Sequence, residues 1–157
     1  MSKPDKIYRS MMARLLLCLG LVLPGLAHAD LMMMIRSHQT FPEAMALLQE
    51  AIKETGYTVS RVQRVDIGLT KSGYKTDKYR VVFFGKPAEI RDLTARYPEL
   101  QAFLPLKISI FAEGNDTIIV TANPQHLKRA GDAKLQKVIN RWEKDISRIL
   151  TKMRKAD

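Results

Sequence analysis

The chain has 157 residues, of which 26 are basic and 16 acidic, so its formal net charge is +10. This length fits one domain behind a short leader, and the single cysteine, Cys18, excludes a disulfide framework and a zinc–thiolate site. The positive charge indicates an anionic counterpart, or it only keeps the protein soluble.

The first 29 residues have the three-part layout of a secretory signal. Four basic residues precede an apolar run over residues 15–26, and Ala27, His28 and Ala29 supply the small–x–small pattern that signal peptidase reads. The apolar run is too short for a permanent transmembrane helix. We therefore expect cleavage after Ala29 and a periplasmic or secreted protein, for which nucleic acid is not an expected partner.

Cleavage would leave a cysteine-free chain with 22 basic and 15 acidic residues, a net charge of +7. Lipid attachment at Cys18 is the alternative, but lipoprotein processing needs a small residue before the cysteine and Leu17 stands there. Without a thiol, thiolate catalysis is excluded in the mature chain. The remaining counterparts are an anionic membrane surface, an acidic protein and a small anion.

The mature chain begins with a predicted strand over residues 31–37 and a predicted helix. Thr40 is the expected cap of the helix, because Glu43 follows it at the capping-box spacing. Gly56 is expected to end the helix, in the position where glycine avoids a steric penalty.

Residues 57–67 alternate in polarity and predict a long strand, with a bulge near Arg61 where the alternation slips. Residues 68–78 are polar and predict a loop. The next strand, over residues 79–85, contains four consecutive apolar residues, Val81 to Phe84. Such a run is typical of a strand that is covered on both faces or lies in the middle of a sheet.

Pro87 predicts the first turn of a short helix that ends near Tyr97. Residues 106–112 and 117–122 predict two further strands. The four residues between them, 113–116, include Gly114 and Asn115 and predict a hairpin turn.

The last predicted element is a basic amphipathic helix over about residues 132–155, with apolar residues at three- and four-residue intervals. Covering one face of the sheet is the leading interpretation, because a bare hydrophobic face is unstable in water. The alternatives are pairing with a second copy and binding to an anionic membrane with Trp142 at the interface.

The order of these elements is β-α-β-β-α-β-β-α. It predicts an α+β fold, a two-layer sandwich with a mixed or mainly antiparallel sheet and a long C-terminal helix. The expected organisation is a signal peptide over residues 1–29, an α+β domain over residues 30–128 and a basic helix over residues 129–157 that packs on the domain or extends it.

Two segments carry a family resemblance: Tyr79 to Pro87, with the sequence YRVVFFGKP, and Leu104 to Ile108, with the sequence LPLKI. Together they resemble the domain of unknown function 302 family over about residues 31–128. The resemblance implies a two-layer α/β domain, often dimeric, and implies no activity. Two positions depart from the family pattern: Lys86 replaces an asparagine, and a histidine typical of the segment before the central loop is replaced near Asp66.

The candidate ligand-binding residues are Arg64, Asp66, Tyr79, Arg80 and Lys86. Arg64 and Asp66 lie two residues apart and are expected to neighbour Arg80 on the next strand. Lys86 precedes a helix whose free N–H groups would favour an anion. The simpler alternative is an exposed ion pair between strands and an ordinary turn before the helix.

Met32, Met34 and His38 are weak candidates for copper, because thioethers and imidazole suit Cu(I) and one strand face would carry all three. The alternative is that both methionines fill the core and that His38 ends the strand in solvent. A metal is not expected as a resident cofactor.

No catalytic pattern surrounds His38 or His126, the histidines of the mature chain. We therefore expect an exported binding or accessory domain, not an enzyme, without a cofactor, that binds a small anion or a protein partner. The alternatives are a membrane-surface module that uses the basic helix and a copper or redox accessory protein. A homodimer is left open.

Overall fold

A computed structural model describes residues 31–130 and 132–156, so the expected leader over residues 1–29 lies outside the described part. One antiparallel sheet runs through it in the strand order β1-β5-β4-β3-β2. The predicted α+β fold is confirmed, with the antiparallel form of the sheet. The strands are β1 (Met32–Ser37), β2 (Thr58–Arg64), β3 (Tyr79–Gly85), β4 (Leu106–Glu113) and β5 (Asp116–Ala122).

The helices of the described residues are α1 (Phe41–Glu54), α2 (Val65–Lys71), α3 (Pro87–Arg96) and α4 (Ala133–Lys155), with short 3₁₀ helices at Pro98–Ala102 and Pro124–Ala130. The helices α1, α3 and α4 pack on one face of this sheet and share one core with it, whereas α2 contributes no buried residue. Side chains that alternate along the strands supply the sheet side of the core, and burying each large aliphatic side chain contributes about 1.5–3 kcal/mol.

The ends of α1 follow the predicted signals. Thr40 and Glu43 form the capping box, with the Thr40 N–H donating to Glu43 Oε2 at 3.1 Å. Gly56 follows the last turn with φ of +80°, in the left-handed region. Both predictions of the boundaries of α1 are confirmed.

The helix α4 buries its apolar stripe against the rest of the domain. Asp132 caps its start, where one carboxylate oxygen accepts the N–H groups of Lys134 and Leu135 at 2.9 and 3.0 Å. Trp142 is 1% exposed, so α4 covers the sheet face as the leading interpretation expected. In the described part, no helix has the length and apolarity needed to cross a membrane.

The segment after β2 is a helix, and the predictions of a strand to residue 67 and a loop from residue 68 are wrong there. The alternation of residues 58–64 does form β2, with the expected bulge between Val59 and Arg61. From Val65 the chain turns into α2, which has no buried residue and therefore no apolar stripe. Gly68 within the helix and the apolar Val65 and Ile67 made the segment resemble the end of a strand followed by a turn.

Candidate functional site

The turn from β2 into α2 brings Asp66 to Arg80. In the antiparallel register Arg64 lies opposite Arg80, and α2 then places the Asp66 carboxylate against the Arg80 guanidinium in a direct ion pair. The two side chains are only 16% and 14% exposed. The hydrogen bond from Arg80 holds the pKa of Asp66 below its usual value. A carboxylate kept ionised in this way is a poor proton acceptor, so the pair organises charge and does not suit general base catalysis.

The aromatic ring of Phe41 supports this pair from the helical layer. The guanidinium carbon of Arg80 lies 5.7 Å from the ring centroid, and Lys78 Nζ lies 5.9 Å from it. Both distances fit a cation over an aromatic face. Phe41 begins α1, so this contact ties the start of α1 to β3, the strand next to the edge strand β2.

An open groove of about 480 Å³ lies beside Asp66, between α2 and the segment that leads into β3. Its walls combine two lysines, two threonine hydroxyls and two carboxylates, one of which belongs to Asp66 and is bound by Arg80. The groove is lined by Asp66, Ile67, Thr70, Lys71, Thr76, Asp77 and Lys78.

The groove lies within a basic segment that runs from the edge strand β2 into β3. Residues 61–80 contain six basic and two acidic residues, a net charge of +4 within twenty positions. Two apolar side chains are exposed on the same segment: Tyr74 is 65% exposed and Ile67 is 36% exposed. The segment therefore offers cations, hydroxyl donors and exposed apolar surface together.

The five predicted site residues do not form one site. Arg64, Asp66 and Arg80 lie together, whereas Tyr79 packs its ring edge-on against Phe111 at 5.9 Å, on the face of the sheet away from Arg80. Lys86 lies six residues beyond Arg80, about 20 Å along the strand at 3.3–3.4 Å per residue. Lys86 is therefore a separate location, because residues close in sequence lie far apart on an extended strand.

At that far end of β3, the Lys86 ammonium lies over the ring of Tyr57, with Nζ 5.0 Å from the ring centroid. The first turn of α3 after it carries an acidic residue, Glu89, which opposes an anion at the helix start. The predicted anion site at Lys86 therefore has less support than the groove beside α2.

The copper candidates lie along β1 and beyond its end. Met32 and Met34 are 53% and 65% exposed, so they do not fill the core as the simpler alternative expected. His38 Nδ1 lies 2.9 Å from Asp116 Oδ1. At 3.3–3.4 Å per residue, His38 lies about 20 Å from Met32, too far for both to bind one ion. Within the described ranges, no group of three or more His, Cys, Asp or Glu side chains is placed to hold a metal.

A buried polar cluster under α4 was missed by the sequence analysis. The Tyr57 hydroxyl donates to Asp145 Oδ2 at 2.8 Å. Glu89 accepts a hydrogen bond of 3.1 Å from Trp142 Nε1 and forms a direct ion pair with Arg141. One signal in the sequence could have found it: Asp145 stands three residues after Trp142, on the apolar stripe of the last helix.

A second cavity, of about 690 Å³, opens beside this cluster. Its lining has two carboxylates, Glu89 and Asp92, and two cations, Arg96 and Lys134, the same numbers as the lining of the groove beside α2. It has no threonine hydroxyls, whereas the groove beside α2 has two and lies within a segment of net charge +4. The groove beside α2 is therefore the stronger candidate for an anion. The cavity is lined by Glu89, Asp92, Leu93, Ala95, Arg96, Tyr97, Lys134 and Val138.

Comparison with known proteins decides the family. The family model described as "Domain of unknown function DUF302" matches residues 33–153, which is most of the chain. The chain belongs to the DUF302 family. The match extends through most of α4, beyond residue 128 where the sequence resemblance ended.

A solved structure shows the same fold. It is that of an uncharacterised conserved DUF302 protein from Bacillus stearothermophilus, with a TM-score of 0.71 and 20% sequence identity. The similarity covers 80% of this chain and all of the other. At this identity the likeness establishes the fold alone. A comparison with curated proteins gives no match. Membership of the DUF302 family thus leaves the ligand to be argued from the groove itself.

Proposed function

We propose that this DUF302 protein is an exported, non-enzymatic binding domain that holds a small anion in the groove beside α2. The observation that carries the proposal is the donor set of the groove: Lys71, Lys78, Thr70 and Thr76 line one open space. Ammonium and hydroxyl groups are donors that suit carboxylate and phosphate oxygens.

The carboxylates of the groove do not cancel this donor set. Arg80 binds Asp66, so this carboxylate is already compensated by a cation outside the groove lining. Asp77 is the second carboxylate, and its single negative charge is smaller than the two positive charges of Lys71 and Lys78. Arg61, Arg64 and Lys75 belong to the same basic segment and add positive potential at the sheet edge.

Export supports a ligand found outside the cytoplasm. The basic leader, the apolar run and the Ala27–His28–Ala29 pattern fit secretion. Intact-mass analysis of native protein checks this part independently. A measured mass equal to that of a chain starting at Asp30 supports export. A soluble protein whose mass still includes Met1 contradicts it.

Calorimetric titration with phosphate and with citrate tests the binding proposal. We expect binding at low ionic strength that weakens with added salt, since the charges are exposed. The variant Lys71→Gln/Lys78→Gln should lose it, whereas Lys137→Gln, an exposed lysine of α4, should retain it. Binding of neither anion, or equal loss in the Lys137 control, would overturn the proposal.

An acidic protein segment is the second candidate, and the exposed Tyr74 and Ile67 favour it. Aromatic side chains beside cations are common where proteins bind each other. A Glu-rich peptide should then bind more tightly than phosphate or citrate, and Tyr74→Ser should weaken only the peptide. Equal affinity for peptide and small anion would exclude this candidate.

The membrane alternative has less support. Its apolar anchor would be the stripe of α4, but Trp142 is 1% exposed and Ile146 is buried against the sheet layer. Lys152 of the same helix binds Glu50 and Glu54 of α1 at 3.3 and 2.6 Å. Membrane binding through α4 would therefore have to break the core.

A further inference from the structure

Three consecutive methionines, Met32 to Met34, form the first half of β1, and the proposed anion site does not involve them. Side chains alternate along a strand, so the run divides between the two faces of the sheet. Met33 is partly buried and packs against the core. Met32 and Met34 point to the sheet face away from the helices, which we call the open face, and are 53% and 65% exposed.

Such exposure is unusual for methionine, which is among the residue types most often found inside proteins. Its cause is the place of β1 at the edge of the sheet, where a strand flanks it on one side only. On that side the register places Ala122 beside Met32 and Val120 beside Met34, and both neighbours are small. Within the part of the chain that the structure describes, the two side chains are therefore open to small reagents in water.

The remaining methionines of the described residues are shielded. Met153 of α4 is 0% exposed, and Met33 and Met45 are partly buried against the core. Met32 and Met34 lie outside that core. A chemical change of these two side chains therefore leaves the packing of the domain intact, whereas the same change at Met153 would disrupt it.

The characteristic reaction of an exposed thioether is oxidation by two electrons to a sulfoxide. The sulfur gives an electron pair to the oxidant and gains one oxygen atom. Hydrogen peroxide is reduced to water in this step, and hypochlorous acid is reduced to chloride with release of a proton. Methionine sulfoxide reductases convert the product back to the thioether, so the change is reversible.

We propose that Met32 and Met34 form a site of reversible oxidation that sets the polarity of the open face. Met34 lies beside Val120, and the same row of the sheet reaches Val81 on β3. Val81, Val120 and the nearby Phe111 are partly exposed, so the two methionines border an apolar surface. Sulfoxide oxygens are hydrogen-bond acceptors and would make this surface more polar while the domain stays folded. The site is separate from the groove beside α2 and does not depend on an anion there.

Limited oxidation followed by peptide mass mapping tests which methionines react. The purified full chain is treated with hydrogen peroxide and, separately, with hypochlorous acid, and the sulfoxide at each methionine is quantified over time. Met32 and Met34 should each react at least about tenfold faster than Met153, because the oxidant reaches them directly from water. Methionine sulfoxide reductases of both stereospecificities, with a thiol reductant, should then remove the two added oxygen atoms.

A fluorescent dye that binds apolar surface measures the polarity of the open face. Oxidation should lower its fluorescence, and enzymatic reduction should restore it. The variant Met32→Leu/Met34→Leu keeps the surface apolar without a sulfur to oxidise, so its dye binding should survive the oxidant. Met32→Gln/Met34→Gln places polar groups of similar length there and should lower dye binding without oxidant. Met45→Leu is the matched control and should respond to the oxidant as the unchanged protein does.

Urea unfolding of the oxidised protein shows whether the domain stays intact. The unfolding midpoint should be the same before and after oxidation of Met32 and Met34, because neither side chain belongs to the core. The same measurement shows that each variant is folded.

Four outcomes would overturn the proposal. The first is reaction of Met32 and Met34 no faster than that of Met153, as expected if another chain covers the open face. The second is dye binding that oxidation leaves unchanged, or that falls equally in the leucine variant. The third is a lower unfolding midpoint once the two sulfoxides have formed. The fourth is a product that the reductases do not reverse.

Discussion

The Tyr57 hydroxyl donates to Asp145 Oδ2 at 2.8 Å, and this bond joins the start of β2 to the middle of α4. Both residues are buried, at 4% and 8% exposure. The Tyr57 ring also packs edge-on against Phe84, 5.5 Å between centroids. Tyr57 therefore links α4 to the sheet: its hydroxyl bonds to Asp145 of α4 and its ring packs on Phe84 of β3.

Replacing Tyr57 by phenylalanine should destabilise the domain. The ring contact with Phe84 survives, but Asp145 loses its buried donor and keeps only Arg148, 3.6 Å away. A buried acceptor left without its partner costs about 1–3 kcal/mol of the free energy of unfolding. Urea unfolding measures it. The exposed Tyr74→Phe should stay within about 0.5 kcal/mol of the unchanged protein, and an equal change in both would contradict the argument.

The same hydroxyl predicts a loss of stability at alkaline pH. Burial, followed by the bond to Asp145, raises the pKa of Tyr57 above its usual value, so the folded state holds the phenolic proton more tightly. This contribution is complete below the unfolded pKa of about 10 and is lost as the pH rises above it. The unchanged protein should therefore lose stability faster than Tyr57→Phe above about pH 10. Parallel curves for the two proteins would refute this assignment.

Local signals in the sequence were sufficient for most of the fold. Thr40 with Glu43 predicted the start of α1, Gly56 its end, and the slip in alternation near Arg61 the bulge in β2. Each signal acts within a few residues, so the sequence carries it without the rest of the fold. The short helix α2 lacks such a signal, because none of its residues is buried.

The candidate site depended on longer distances and was predicted only in part. The pairing of Asp66 with Arg80 was expected and is present, although a helix and not a strand carries Asp66. Lys86 was grouped with them because it is near in sequence, yet the length of β3 separates it. Asp145 was overlooked because its partner, Tyr57, is 88 residues away.

Gly85 lies where β3 meets α3, and alanine should not fit there without movement. An added Cβ would lie 2.4 Å from Cδ1 and 3.3 Å from Cγ1 of Ile90. Cδ1 is the flexible end of the partly exposed Ile90 side chain, which can move aside, so Gly85→Ala should cost only about 1 kcal/mol, the lower end of overpacking. Ile90→Val removes the closer carbon, so the double variant should be more stable than Gly85→Ala alone. Chemical unfolding of the three variants tests this, and purely additive losses would argue against the contact.

The cap of α4 predicts a second pH dependence, at the acidic end. The backbone bond from Leu135, followed by the Tyr97 hydroxyl, lowers the pKa of Asp132 from its usual value. Stability from this carboxylate is present above the unfolded pKa and is lost as the pH falls through the folded pKa. Asp132→Asn should keep the cap and lose part of the acid sensitivity, whereas Asp132→Ala should lower the melting temperature at neutral pH. Melting curves from acidic to neutral pH check both, and an alanine variant as stable as the asparagine one would contradict the capping role.

The ion pair at the groove predicts opposite effects of its two members on anion binding. Asp66→Asn removes a negative charge from the groove lining and should strengthen binding of phosphate or citrate. Arg80→Gln leaves Asp66 uncompensated beside the donors and should weaken it. Calorimetric titration at low and high salt measures both, and the difference should shrink as salt screens the charges.

The matched control for this pair is the exposed pair of Lys152 with Glu54, which links α4 to α1 away from the groove. Glu54→Gln and Lys152→Gln change the net charge of the protein as Asp66→Asn and Arg80→Gln do. If they changed anion affinity equally, only the overall charge would matter and the groove would lose its role. If only the Asp66 and Arg80 variants change it, in opposite directions, the anion is bound within reach of Asp66.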